Sequence, residues 1–368
     1  MVLVSILGDF HSSILPIFFE FKKKITHHII LHDDSNHDKK HIKKLMKAQR
    51  KFLETYEEDG KAILDYKIDM IQVAEDSYED ILSIFKVIKT TAKEPKEIYL
   101  NATDGLSSIS IVLSNKVLQS GGNVLAYDRY SNKYNIHTGN FMKKKKIKNN
   151  MDIKSHLQLK GYELKSWTNS FTLKKRKDNI LKLCKNLPEL KEFATKAQEK
   201  KINDISGYNK YKKILHKIDK INNVPFLQGT IFEEYIYHII VDNCDFDEVM
   251  IGLIIEFEKD FINELDIVMI KDNHLHTIEC KFVNTLKGEQ YVYKTNSIID
   301  YLDDDGKAMI LSIGGDEEKI TRNGKKVQFT IGDKARAKNG NIKIHQSKIF
   351  NEVKFLNEIN SFFNLGAK

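Results

Sequence analysis

The sequence predicts an α/β protein built in two halves. Three observations predict it. Short apolar runs alternate with amphipathic stretches through the first 128 residues, the pattern of a parallel sheet with helices on both faces. A lysine-rich middle follows, then a second helix–strand pattern centred on a hairpin at Phe261 to Phe282. The length of 368 residues, 41% of them apolar, favours two or three domains. The boundaries are placed at 1–140, 141–222 and 223–368.

In the first half, Val2 to Leu7 reads as a buried strand and Ser12 to Lys24 as a helix. Ile29 to Asp33 is a strand, followed by a long charged helix from Asp38 to Tyr56. Ile68 to Val73 and Ser77 to Thr91 are the next strand and helix. Glu97 to Leu100, Gly105 to Ser120 and Asn123 to Asp128 close the series as strand, helix and strand. Ligands of such sheets bind beyond the carboxyl ends of the strands. Two loops lie there, Gly8-Asp9-Phe10-His11-Ser12-Ser13 and Asn101 to Ser108. Each feeds a helix N-terminus, where free N–H groups favour anions. Ser12 and Thr103 or Asp104 also suit plain helix caps. No GxGxxG occurs, which argues against a dinucleotide cofactor.

The net charge is +8, yet only five of the 59 basic residues are Arg. An excess of Lys, Asn and Ile is what AT-rich coding would give, so the total says little. The distribution says more. Residues 141–222 hold 23 Lys and Arg against 8 Asp and Glu, a surplus of 15, so the remainder sums to −7. A basic middle suits a phosphate backbone, or simply a solvated helical face. Lys143 to Lys146 reads as a solvated turn or linker, and 175–222 as helical.

In the last part, Gly229 opens a helix that carries Glu233 and Glu234 and runs to about Val241. Asn263 to Lys271 and His274 to Val283 are adjacent strands, with Asp272-Asn273 as the turn between them. Ala308 to Ile313 is an apolar strand, and Phe350 to Phe363 an amphipathic closing helix. Asp303 to Gly306 is a turn, since it lacks the twelve-residue spacing of a calcium loop.

Several classes are excluded. No run of 18 apolar residues exists, so no transmembrane helix is expected, and no membrane partner. Val2 to Leu7 lacks a basic leader and a cleavage site. Cys184, Cys244 and Cys280 are far apart, which fits neither a disulfide framework nor a zinc site and suits the cytoplasm. His27, His28, His32, His37 and His41 are read as a polar loop and helix start, with a metal site as the competing reading.

The chemistry concentrates in the hairpin. Side chains alternate along a strand, so Glu279 and Lys281 share a face and Cys280 takes the other. The neighbouring strand can bring Asp266 to that face. Close carboxylates repel unless a cation or proton lies between them, and a divalent ion with oxygen ligands is the usual solution. Asp266 with Glu279-Cys280-Lys281 resembles the core of the PD-(D/E)xK nuclease superfamily. The resemblance implies a restriction-endonuclease-like α/β domain. In it Asp266, Glu279 and the backbone carbonyl of Cys280 hold Mn²⁺ or Mg²⁺. Lys281 orients or helps deprotonate the attacking water, and Glu233 supports the site from its helix. No Pro precedes Asp266, where the superfamily often has one.

NATDGLSS, at 101–108, resembles the N-x-T-G-G-T-K loop of CARF domains, Rossmann-like sensors of cyclic oligoadenylates. Together with GTIFEEYIY, NELD, TIECK and the segment Met151 to Lys165, the chain resembles the Card1/Can2 family, single-CARF nucleases of type III CRISPR defence. That resemblance implies a homodimer activated by cyclic tetra-adenylate and cutting DNA, RNA or both. It places the ring on Gly8, Asp9, Ser12, Ser13, Asn101, Thr103, Asp104, Gly105 and Ser107. The family carries a lysine soon after this core, which Lys294 matches as a candidate nucleic-acid contact; Arg336, in the charged stretch Lys334 to Lys338, is a second candidate on its charge alone. Asp104 and Ser107 depart from the family's Gly and Lys, and both changes weaken an anion site. Two rival readings are a ligand-sensing regulator that binds nucleic acid without cutting, and a constitutive repair or restriction nuclease.

Overall fold

The computed structural model describes residues 1–8, 11–32, 39–55, 57–58, 61–62, 66–74, 77–104, 107–198, 217, 226–282, 288–313, 318–321, 324–327, 329–347 and 349–365. The chain divides into two compact units, Met1–Glu163 and Leu164–Lys368. The segment 141–222, expected as a connector, is thus shared between them.

The first unit runs β1 (Val2–Ile6), α1 (Leu15–Phe21), β2 (His27–His32), α2 (Lys39–Thr55), a two-rung hairpin of β3 (Glu57–Glu58) and β4 (Lys61–Ala62), β5 (Lys67–Gln72), α3 (Tyr78–Thr91), β6 (Ile98–Asn101), α4 (Ser107–Gln119), β7 (Asn123–Asp128), β8 (Lys133–Thr138), β9 (Phe141–Lys146) and α5 (Ile153–Leu159). The main sheet has the order β5-β2-β1-β6-β7-β8-β9. The strands from β5 to β7 are parallel, as the βα alternation predicts. The chain moves outward from β1 through β2 to β5, then returns to the other side of β1 as β6. The order therefore reverses between β1 and β6, whose ends pair as Ser5 with Asn101. Open α/β sheets bind ligands beside such a reversal. Both loops singled out above leave the sheet there.

The sequence reading differs from this unit in two places. The first helix begins with a 3₁₀ turn, His11–Ile14, and becomes α-helical only at Leu15, where Pro16 suits a first-turn position. Lys143 to Lys146 is not a turn but most of β9, antiparallel to β8. Lysine is a poor strand former, so local sequence gives no sign of this strand.

The second unit runs β10 (Glu163–Ser166), α6 (Ser170–Leu183), α7 (Leu187–Gln198), α8 (Ile231–Asn243), β11 (Glu248–Glu258), β12 (Phe261–Lys271), β13 (His274–Lys281), α9 (Gly288–Leu302), β14 (Lys307–Ile313), β15 (Glu318–Thr321), β16 (Gly324–Val327), α10 (Ile331–Asn339), β17 (Ile342–Ser347) and α11 (Glu352–Phe363). Its main sheet is mixed, in the order β10-β11-β12-β13-β14-β17. β11 to β13 form an antiparallel meander, and β13, β14 and β17 run parallel. Asp272 and Asn273 both take positive φ, 50° and 71°. That is the two-residue hairpin loop whose twist matches its strands. Ile231, Phe232 and Ile236 of α8 and Phe355 and Ile359 of α11 bury against Ile267, Ile278, Cys280 and Leu311. Asp303 accepts the N–H groups of Leu275 and Asp305, which makes Asp303 to Gly306 a structural turn.

Candidate functional site

The β12–β13 register pairs Ile267 with Ile278 and continues to Lys271 with His274. One step beyond Ile267 and Ile278 stand Asp266 and Glu279, on the face opposite the Ile278 and Cys280 side chains. There the ladder gives way to a side chain: the Cys280 N–H donates to Asp266 Oδ2 at 2.7 Å. Lys281 Nζ lies 2.6 Å from Glu279 Oε1 and 3.7 Å from Asp266 Oδ2. Helix α9 brings Lys294 Nζ to 3.6 Å from Glu279 Oε1 and the Tyr291 ring to 5.0 Å from Lys281 Nζ. Tyr291 was not singled out from sequence. Its one signal is a position three residues before Lys294, on the same side of a helix.

The adjacent glutamates of α8 part company. Glu234 is fully buried and forms a two-pronged ion pair with Arg176 of α6. Glu233 turns to the hairpin. A π-helical turn, Phe226–Thr230, delivers the chain into α8. A Cβ on Gly229 would sit 3.3 Å from Glu233 Oε1, so glycine leaves room for that carboxylate.

Electrostatics show what the cluster costs. Burial, then the charge of Asp266, pushes Glu233 up to about 8, against an ordinary 4.5. Burial and Glu279 push Asp266 up to about 7. Burial alone would lower Lys281, but Asp266 and Glu279 outweigh it and hold the ammonium above its ordinary value. At neutral pH Glu233 and Asp266 thus retain protons that a bound cation could displace.

The donors suit a hard divalent ion. Two carboxylates and a main-chain carbonyl are all oxygen, and Mg²⁺ or Mn²⁺ keeps several waters. Among the described residues no group of three or more His, Cys, Asp or Glu side chains is arranged as a metal cage. Glu233 interacts with the Asp266–Glu279 pair through its charge. The histidine cluster disperses where it is described. His27 pairs with Asp69 at 2.6 Å, and His28 is buried between Ser5 and Gln49. His37 lies outside the described residues, as does the side chain of His41.

Arg336 of α10 stands over the Tyr293 ring at 4.3 Å and lies 3.6 Å from Asp333. It belongs to the outer surface of α9 and α10, whereas Lys294 reaches Glu279.

In the first unit the two loops meet at the sheet reversal. Ser13 Oγ donates to Asp104 Oδ2 at 3.2 Å. Thr103 donates its N–H and its hydroxyl to Asn101 Oδ1, and the Tyr127 N–H donates to Thr103 Oγ1 at 2.9 Å. Asn101 is fully buried, and its Nδ2 has no hydrogen-bond partner among the described residues. An unpaired buried donor costs about 1–3 kcal/mol. Gly8 is buried in the same end of the sheet. Asp9 and Gly105 lie outside the described residues, as do the side chains of Ser12 and Ser107.

The hairpin-borne carboxylates and lysine of the mixed sheet lie within a stretch that matches an endonuclease-domain family model. Residues 220–352 match the family model of the Card1-like endonuclease domain, and the chain carries that domain. Over its whole length the chain is similar in fold to Can2 from Sulfobacillus thermosulfidooxidans, solved in complex with cyclic tetra-adenylate. That likeness covers 99% of both chains at 17% identity and a TM-score of 0.67. Protein VC1899 from Vibrio cholerae is similar over 99% of this chain and 96% of its own, at 15% identity and a TM-score of 0.67. A type III CRISPR defence DNA nuclease activated by cyclic oligoadenylate is similar over 85% of this chain and 45% of that one, at 8% identity and a TM-score of 0.50. No curated protein matches the sequence. Among the described residues no helix is long and apolar enough to cross a membrane.

Proposed function

We propose that this chain is a metal-dependent endonuclease switched on by a cyclic oligoadenylate, with cyclic tetra-adenylate as the activator and DNA, RNA or both as substrate. The observation that carries the reading is the meeting of Asp266, Glu279 and Lys281 on one face of a hairpin inside a Card1-like endonuclease domain. A divalent ion held by Asp266, Glu279 and the Cys280 carbonyl would lower the pKa of bound water and offset charge on the phosphate. Lys281, held beside Asp266 and Glu279, would orient the attacking water or help deprotonate it. Lys294 adds a second positive charge beside Glu279. The attack needs no 2′-hydroxyl, so neither DNA nor RNA is excluded chemically.

Activation is read from the first unit. Asn101 Nδ2, without a partner among the described residues, offers a donor at the sheet reversal. The Thr103 and Ser13 hydroxyls could exchange their contacts to Asn101 and Asp104 for a ligand. A symmetric ring suits two copies of the same loops, so the active form is proposed as a two-fold homodimer. The ring shifts the enzyme only by binding its competent state more tightly.

One assay tests this. Supercoiled plasmid, single-stranded DNA and RNA are incubated with Mn²⁺, with and without cyclic tetra- and hexa-adenylate. Cleavage that needs the tetra-adenylate and vanishes in Glu279→Ala is expected. Equal cutting without ligand would make it a constitutive nuclease. Binding without cutting, unchanged in Glu279→Ala, would make it a regulator.

A further inference from the structure

The basic residues near 141–148 are not absorbed by either site. They build an exposed edge. β9 is the last strand of the first sheet, and all six of its residues, Phe141-Met142-Lys143-Lys144-Lys145-Lys146, are exposed. Alternation divides them between two faces. Phe141, Lys143 and Lys145 share the face of their partners Thr138, Ile136 and Tyr134, while Met142, Lys144 and Lys146 take the other.

The charge is poorly compensated. Lys144 pairs with Asp128 at 3.1 Å. Among the described residues Lys133, Lys143, Lys145 and Lys146 have no ion pair. Lys146 stands directly across from Lys133, and like charges in that position destabilise a ladder. Large apolar groups flank the lysines. Phe141 is 78% exposed at one end of the hairpin, and Tyr130 is 92% exposed in the turn at the other.

Lysines on an edge strand also serve to block edge-to-edge pairing. That role does not explain an exposed Phe and Met on the same strand, which invite the contact that lysine prevents. A second copy of this chain is a poor occupant, because pairing β9 with itself sets lysine against lysine. A polyanion with flat apolar faces complements both features. We propose that the β8–β9 edge is an accessory docking surface for single-stranded nucleic acid, its backbone tracking the lysines and unpaired bases stacking on Phe141 and Tyr130. Stacking platforms beside a positive track are how single strands are held without sequence preference. The choice of nucleic acid over other polyanions rests on the nuclease reading above.

The test uses the full chain with fluorescence anisotropy of a labelled oligothymidylate in EDTA, where no cutting occurs. The combined Lys143→Ser, Lys145→Ser and Lys146→Ser variant keeps the Lys144–Asp128 pair. It is expected to bind at least tenfold more weakly at low salt. Its log K against log salt slope should be shallower by about 2, since each phosphate contact to a single strand contributes about 0.7. Phe141→Ala should lose roughly tenfold at an unchanged slope. Thermal melts at wild-type temperature show that the variants fold. Unchanged affinity and slope overturn the proposal. So does a variant whose only defect is lost binding to phosphatidylserine vesicles, or new self-association in sedimentation. Cleavage of a short oligonucleotide with Mn²⁺ and activator, run alongside, reports on the nuclease reading separately. Its failure would leave the binding result standing as a property of the edge alone.

Discussion

The two candidate sites handle charge in opposite ways. The hairpin site of the second unit packs Glu233, Asp266 and Glu279 around Lys281, and raised carboxyl pKa values record the strain. The loop site of the first unit is built from neutral donors, Asn101, Thr103 and Ser13, with one acid, Asp104. The contrast teaches that, under the proposed function, the first is a place where charge would change during chemistry. Under the proposed function, the second is a place where a polar ligand would meet Asn101 Nδ2, a buried donor without a partner among the described residues. Function can therefore be removed from one site without touching the other.

The sharpest break is in the hairpin. Glu279→Gln keeps the shape of the side chain and is expected to lower activator-dependent plasmid nicking by about 10³-fold. Losing one preorganised electrostatic group typically costs 10² to 10³. Lys281→Ala should fall in the same range, with oligonucleotide binding in EDTA retained.

The adjacent glutamates sharpen the point. Glu234→Ala strands the Arg176 charge in the core, and breaking a buried pair costs about 3–5 kcal/mol. A clear loss in denaturant midpoint is expected. Glu233→Gln should instead raise the midpoint of the metal-free protein near pH 8, because it removes a buried charge. Reversed outcomes would show that the roles of these two residues are exchanged.

Acid titration gives the next test. Glu233 and Asp266 have folded values of about 8 and about 7, above their ordinary 4.5 and 3.8. The folded state therefore binds more protons than the unfolded one, and stability falls as pH rises from about 4 to about 8. In EDTA the melting temperature should drop across that window, and Asp266→Asn should flatten the drop. Added Mn²⁺ should restore most at the alkaline end, since a metal ligand must first lose its proton. A melting curve independent of pH would sink this account.

The smallest effect belongs to the loops. Asp104→Gly removes a negative charge beside the proposed activator and should tighten cyclic tetra-adenylate binding by about tenfold in calorimetry, roughly 1.4 kcal/mol. Unchanged binding would place the ring away from Asp104.

Much of this molecule was legible in its sequence because periodicity is local. The strands of the first sheet from Val2 to Asp128 fall within one or two residues of their expected positions, since each βα unit carries its own apolar run and cap, as Ser77 shows for α3. The Asp272-Asn273 turn and the strands it joins were equally plain. β9 was not, because its lysines have low strand preference and only pairing with β8 makes them a strand. Tyr291 was missed for a related reason: nothing in its neighbourhood says which way α9 faces.

Sequence alone determined the order of elements and the residue types able to do the chemistry, because both are written in side-chain period and polarity. Only the tertiary structure decided that the two loops flank one reversal of the sheet. It alone paired Glu234 with Arg176. Those choices depend on register and on which face each helix buries. Both are set by contacts between residues far apart in the chain, so no local pattern encodes them.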